Sequence, residues 1–544
     1  MDELAFPLPS PLPLDTLRRE IIGGNLDIPT PYGTRRMIYA DYTASGRSLR
    51  FVEQALMAAE ETYANTHTED NASGSLTTSL YHEAWHDIRR LLGGTKDYVV
   101  VLAGTGATGA IHRLTQLLGV HEAPAARLRR MQTEDLLAEE SPQMAGAVDR
   151  LRALRKARRP VVFLTPYEHH SNVLPWREAE VDVVEIGLTD AGQPDMVDLA
   201  AKLSLAMYAD RLKIGAFSAA SNVTGRISPV REMARLMHRH NGLAFFDYAA
   251  SAPYVPIRLW EGDEDYLDGI TLSPHKFLGG PGASGLLVFH RRTYDDHLAP
   301  SLPGGGTVDY VNASAQDYKP DVETREDGGT PPILQAMRIA MAMRVKDAVG
   351  EARIGQVEHR FRQRALAAWT RHPAFAGIGL GAQEELDDPE RFLAIISFNL
   401  RHDKGMLHPR FVTRLLNDLF GIQARAGCSC AGPFGHRLLG IGDEKSTRFR
   451  EAIHSGCEAM KPGWVRIGFH YTMDEATFQT IVDAVLYLAD HGIEHLPDYL
   501  LDPASGLWTH HKTDTPTTIT WFGEETWPEL AWFPVAQVRE LSCR

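Results

Sequence analysis

From about residue 95 to residue 290, short continuous apolar runs alternate with amphipathic or polar stretches. The runs are YVVVL (98–102), VVFLT (161–165), VDVVEI (181–186), KIGAFS (213–218), GLAFFD (242–247), GITLS (269–273) and GLLVFH (285–290). Unbroken apolar runs, rather than strict alternation, predict strands covered on both faces, and the regular spacing predicts βα units that build a mostly parallel sheet. Ligands gather at the C-terminal ends of such strands. Several runs end in small, polar turns, AGTGATG, PYEHHSN, AASNVTG, DYAAS and SPHK, and these turns hold most of the reactive side chains.

After Gly329 the pattern changes to helical stretches at about 333–347 and 351–371, a strand FLAIISFN, a helix from about 409, and a strand and helix around 464–491. The chain therefore reads as α/β, with a large domain over 61–330 and a smaller α+β domain over 331–492. Residues 1–60, with a helix over 48–63, are expected to pack on both. Residues 120–160 read as a helical insertion. Its stretch 150–159 carries Arg150, Arg152, Arg155, Lys156, Arg158 and Arg159 around Leu151 and Leu154, a solvated helix face or else a dock for an acidic partner. The extension 493–544 holds Trp508, Trp521, Trp527 and Trp532, four of the nine tryptophans, and is too aromatic to be disordered. It is expected to pack on the main body or on a second subunit.

Composition narrows the function. A length of 544 residues calls for at least two subdomains. No window approaches the run of about 18 apolar residues that a membrane span needs, so a soluble protein is expected. The start MDELAFPLPSPLPLD is acidic and proline-rich, unlike a secretory signal, which makes the cytoplasm the expected location. A net charge of −14 argues against nucleic acid and anionic membranes as partners. The four cysteines, Cys428, Cys430, Cys457 and Cys543, are too few for a disulfide framework. No metal site is expected, because the C-x-C pair has no second pair at zinc-like spacing.

The strand-end turns fit one cofactor in particular, pyridoxal phosphate (PLP). It needs a lysine for an imine, a site for a phosphate dianion, an acid for the pyridine nitrogen and a partner for the ring. In ITLSPHKFLGGPGASG, Lys276 follows a strand, with Ser273 and His275 beside it and glycines after it. Thr105–Gly109 offers unpaired backbone N–H groups and a positive helix end to a phosphate, with the Thr108 hydroxyl in addition. Asp247, ending GLAFFD, can pair with the pyridine nitrogen, or else only cap the strand end. His169 could stack on the ring and Asn222 could reach its oxygen; both could instead be ordinary turn residues.

With these residues in this order, the chain resembles the class V aminotransferase fold, and within it the cysteine desulfurase and selenocysteine lyase group. The resemblance runs over roughly residues 36–490, on YADYTASG (39–46), TGATGAI (105–111), EHHSNVLPW (168–176), SNVTG (221–225), DYAASAP (247–253), SPHKFLGGPGASG (273–285), GGTPP (328–332), RAGCSCAGP (425–433) and VRIGFHY (465–471). It implies the PLP-dependent transferase fold, with Lys276 as the imine lysine and Asp247 at the pyridine nitrogen. Ala107, Thr108, Ser273 and His275 would hold phosphate. Thr330 would reach the phosphate of the other subunit's cofactor, which implies a homodimer. Arg466 would bind the substrate carboxylate, assisted by Arg425. Two positions depart from the pattern: Gly109 stands where many desulfurases have glutamate, and Ala250 where they have glutamine.

The resemblance implies a reaction in which Lys276 acts as general base and Cys430, in R-x-G-x-x-C-A from Arg425, takes sulfur from L-cysteine as a persulfide and releases L-alanine. A protein sulfur acceptor would follow. Cys428 is an additional thiol, and a structural role is the alternative for each cysteine. The loop GCSCAG reads as flexible enough to carry sulfur outward. Two other readings remain open: another class V reaction, such as a lyase, epimerase or aminotransferase acting on a different amino acid, and a non-catalytic PLP protein that serves as a binding scaffold.

Overall fold

The structure is a computed structural model that describes residues 8–512, apart from 67, 382–384, 386, 387 and 404. The central sheet uses all seven apolar runs as strands: β1 (Tyr98–Leu102), β2 (Val161–Leu164), β3 (Asp182–Glu185), β4 (Lys213–Ser218), β5 (Gly242–Asp247), β6 (Gly269–Leu272) and β7 (Leu286–His290). Their order is β1-β7-β6-β5-β4-β2-β3. Only β7 runs antiparallel, to β1 on one side and β6 on the other, and the other neighbours pair in parallel. Every residue of β2, β4 and β6 is buried, as continuous apolar runs require of strands covered on both faces.

A second, antiparallel sheet is formed by β8 (Phe375–Gly377), β9 (Ile395–His402), β10 (Arg425–Gly427) and β11 (Trp464–Gly468) in the order β8-β9-β11-β10, with a short strand Gly405–Met406 added to β9. Strand β9 begins three residues later than its apolar run. Phe392 instead lies under the guanidinium groups of Arg226 and Arg362, at 4.6 and 4.0 Å from ring centroid to Cζ, and bridges to Arg226 of the large-sheet half. The run's first residues thus tie the two halves together.

The segment 38–46 does the same from the N-terminal side. Ile38–Tyr39 pairs in parallel with Ile422–Gln423, and Gly468 N–H donates to Ala40 O. A few residues later Gly46 N–H donates to His275 O, and a Cβ at Gly46 would sit 2.0 Å from Phe277 O, so only glycine permits this approach. The stretch from Ala40 to Gly46 therefore spans from the second sheet to the turn that carries Lys276.

Residues 124–158 form two helices joined at Ser141, whose hydroxyl accepts from Met144 N–H to cap the second. Glu134 of the first helix pairs with Arg130, Arg152 and Arg155. Two of the six clustered basic residues are thus turned inward onto the first helix. In the C-terminal extension, Trp508 packs on Phe411 with centroids 4.7 Å apart and donates from Nε1 to His408, so the described part of the extension lies on the second half. Trp521, Trp527 and Trp532 fall outside the described residues. Among the described residues, no helix is long and apolar enough to cross a membrane.

Candidate active site

A cavity of about 650 Å³ opens at the C-terminal ends of the central strands and is closed by β10, β11 and the cysteine loop. It brings together Lys276, Asp247, His169, Asn222, Ala107, Thr108, Ser273, His275, Arg425, Arg466, Cys428 and Cys430. Thr330 is not among its lining residues. It is exposed, accepts a hydrogen bond from Asn65 Nδ2 at 3.1 Å, and lines a separate pocket of about 360 Å³ with Arg113 and Asp327.

The phosphate-side turn is built by close backbone approach. Gly106 has φ +57°, and a Cβ there would lie 3.0 Å from His275 Cε1 and 3.1 Å from Ser273 Oγ. Ala107 N–H donates to Ser273 Oγ at 3.0 Å, which locks the start of the helix Gly106–Leu117 onto the Lys276 turn. The Thr108 and Ser171 hydroxyls are 2.7 Å apart at the edge of the same turn. Gly109 is also explained: a Cβ there would meet Ala103 O at 1.9 Å, so this backbone has no room for the glutamate of the related pattern.

Asp247 is buried at the end of β5, and its Oδ1 accepts from Ala249 N–H at 2.9 Å. Burial pushes its carboxyl up, while the Ala249 hydrogen bond and the Lys276 charge hold it down. Lys276, in the turn Pro274–Lys276, has no hydrogen-bond or ion-pair partner for its Nζ among the described residues. Burial brings its ammonium down to about 8 against the pull of Asp247, with Arg466 and Arg425 adding to the lowering. His169 accepts from Ser171 N–H through Nδ1. Burial first, then the nearby Lys276, lowers it to about 4, so the ring is neutral and offers a flat face. The preceding residue, Glu168, is fully enclosed and takes donors from Thr165, Ser218 and Asn172; burial raises it to about 7 against those bonds.

On the facing wall, Arg425 of β10 and Arg466 of β11 are direct cross-strand partners. Two like charges in register repel. Asp41 resolves this: its Oδ2 accepts from Arg425 Nε at 2.8 Å and its Oδ1 from Arg466 Nη2 at 3.0 Å. Arg466 Nη1 also donates to Asn222 O. Two guanidinium groups and one carboxylate leave a net single positive charge, which suits one further carboxylate. Asp41 lies within the motif YADYTASG, and the only sequence signal for its place here is an acid in that motif with two arginines far along the chain that need a counter-charge.

The cysteine loop is not a free arm, contrary to its glycine- and serine-rich sequence. Asn222 Nδ2 donates to Ser429 O at 2.7 Å, His170 N–H donates to Cys430 O at 2.8 Å, and Gly432 N–H donates to His170 Nε2 at 2.9 Å. Ser429 and Cys430 both hold positive φ, 53° and 54°. Such left-handed non-glycine residues cost about 1–3 kcal/mol each and persist where the surroundings fix them. Asn222 Nδ2 is spent on this tether, while its buried Oδ1 has no partner.

The family model described as Aminotransferase class-V matches residues 145–479. The chain belongs to that family. A probable cysteine desulfurase of Halalkalibacterium halodurans is 26% identical over 402 residues, 73% of this chain and 84% of that protein. Probable cysteine desulfurase 2 of Mycobacterium leprae is 30% identical over 282 residues, 51% of this chain and 62% of that protein. The solved apo structure of a cysteine desulfurase from Thermococcus onnurineus NA1 superposes with a TM-score of 0.66 at 21% identity, covering 89% of this chain and 99% of that one, and so shares its fold.

Class V aminotransferase-family proteins are PLP-dependent, and the cavity fits that cofactor on its own features. A lysine amine and a buried Asn222 Oδ1 both lack partners, a carboxylate sits at a strand end opposite the lysine turn, and a helix begins at Gly106, whose positive φ and close approach to His275 and Ser273 favour glycine. The chain is a PLP-dependent enzyme.

Proposed function

We propose that the enzyme is a cysteine desulfurase that converts L-cysteine to L-alanine and receives the sulfur on Cys430. One observation carries this reading: the unpartnered Lys276 amine, the Arg425 and Arg466 side chains that Asp41 joins from behind, and the thiols of Cys428 and Cys430 meet at a single cavity, which all but Asp41 line.

Bound PLP supplies an electron sink that makes the substrate α-proton removable. The lining residues would do the rest. Thr108, Ser273, His275 and the helix N-terminus at Gly106 would hold the phosphate, Asp247 the pyridine nitrogen, His169 a ring face and Asn222 Oδ1 the ring oxygen. Arg466, with Arg425 beside it, binds the amino-acid carboxylate and so orients the α-carbon toward Lys276. Lys276, with its ammonium near 8, exchanges a proton at Nζ close to neutral pH. The Cys430 thiolate attacks the substrate sulfur; an S–S bond forms as the C–S bond breaks, and alanine leaves. Thr330, exposed and outside the cavity of its own chain, supports a homodimer in which it reaches the partner's site. A protein sulfur acceptor and a cytoplasmic setting belong to the same reading.

The test is product analysis of the PLP-loaded full chain with L-cysteine. Alanine, with sulfur in equal amount on the protein or in solution, is the expected result. Pyruvate and ammonia, a D-amino acid, or amino transfer to an oxo acid would instead select the lyase, epimerase or aminotransferase reading.

A further inference from the structure

Cys428 lines the same cavity as Cys430 but is left without a task by the reaction above. We infer that Cys428 is a second catalytic thiol, which in the absence of a protein acceptor cleaves the Cys430 persulfide and releases its sulfur as hydrogen sulfide; this rests on the desulfurase reading.

The geometry of the loop points there. Ala431 N–H donates to Cys428 O at 3.0 Å, and the two central residues of that turn, Ser429 and Cys430, both have positive φ, so the chain reverses direction between the thiols. Residues two apart span about 7 Å in an extended chain. Reversal brings them toward the Cα separation of about 4.4–6.8 Å that a disulfide accepts. Both thiols are free, Cys428 partly buried and Cys430 exposed. The tethers at Ser429 O, Cys430 O and Gly432 N hold the loop in place, so the backbone keeps the two sulfurs in one turn rather than carrying one away. Among the described residues the remaining free thiol, Cys457, does not line the cavity.

The step balances without an outside oxidant. The Cys428 thiolate attacks Sγ of Cys430, the Cys428–Cys430 S–S bond forms, and the bond from Cys430 Sγ to the outer sulfur breaks. The outer sulfur leaves as hydrosulfide and takes up a proton to give hydrogen sulfide. Cys428 sulfur is oxidised by one electron equivalent and the outer sulfur is reduced by one. An external thiol then reduces the disulfide before the next turnover.

The experiment uses the PLP-loaded full chain in excess over L-cysteine, itself a thiol, so that the substrate is consumed in one turnover and no other thiol is added, measuring alanine, sulfide and the mass of the peptide that contains both cysteines. The wild-type protein is expected to release about one sulfide per alanine and to lose two hydrogens from that peptide, which a thiol added afterwards restores. Cys428→Ser is expected to retain the sulfur as a persulfide on Cys430 and to release roughly tenfold less sulfide per alanine. A stable persulfide on Cys430 of the wild-type protein, sulfur transferred onto Cys428, or unchanged sulfide release from Cys428→Ser would overturn the inference while leaving the desulfurase reading standing. No alanine from the wild-type protein would defeat that reading itself.

Discussion

The wall of the cavity that carries Lys276, Asp247 and His169 comes from the ends of parallel strands of one sheet, with short loops between strand and functional residue. The facing wall is gathered from distant parts of the chain: Asp41 lies 425 residues before Arg466, and Asn222 reaches over 207 residues to the cysteine loop. In the first wall, local sequence dictates position, because a strand end is fixed once its apolar run is buried. In the second, the positions depend on contacts that exist only after the halves have docked. Substitutions in the first wall should therefore remove chemistry and leave the fold, whereas those in the second should disturb both.

The largest effect is expected from Lys276→Ala. Lys276 holds up no neighbour by hydrogen bond, so the protein should fold normally, while alanine formation should fall by about 10²–10⁴-fold. Borohydride treatment followed by peptide mapping should place the cofactor on Lys276 in the wild-type protein and on no residue in the variant.

Asp41→Ala should instead act on both fold and function. It leaves Arg466 buried without its counter-charge, and breaking such a pair costs about 3–5 kcal/mol. Thermal melting should show the loss, and titration with L-cysteine should show weaker binding. A melting temperature equal to that of the wild-type protein would mean that the second wall does not depend on this contact.

A pH series sharpens the first wall. Lys276 must be neutral to react, and its ammonium lies at about 8 rather than its ordinary value of 10.5. The rate at which the apo protein captures added PLP should therefore rise roughly tenfold per pH unit below about 8 and level off above it. A rate still climbing steeply at pH 10 would show that burial does not depress this amine.

The smallest effect is expected from Asn222→Ala. It removes one tether from Ser429 O, worth about 1 kcal/mol, and the proposed contact to the ring oxygen, so sulfur release should slow severalfold and PLP should be held severalfold less tightly while still being captured on Lys276.

The same contrast accounts for what could be read from sequence. All seven central strands follow from continuous apolar runs, because burial on both faces leaves little choice of residue. The gathering of Lys276, Asp247, His169 and Thr108 at the C-terminal ends of those strands follows from the same runs. The family resemblance already set Arg425 beside Arg466, but their cross-strand register, the placement of Asp41 between them and the tethering of the cysteine loop did not follow. Asp41 is separated from its partners by most of the chain, and GCSCAG looks mobile until Asn222 and His170 are placed against it. The late start of β9 has a similar cause, since Phe392 is drawn off by two arginines before the strand begins.

The central claim is that a cavity thiol takes sulfur directly from the substrate handled by Lys276. Its most direct test is single-turnover alanine formation from L-cysteine by the PLP-loaded Cys428→Ser/Cys430→Ser double variant. The account predicts that the variant still carries the cofactor on Lys276 and still binds L-cysteine, while alanine falls at least about 100-fold. Alanine released at the wild-type rate by a protein lacking both thiols would contradict it.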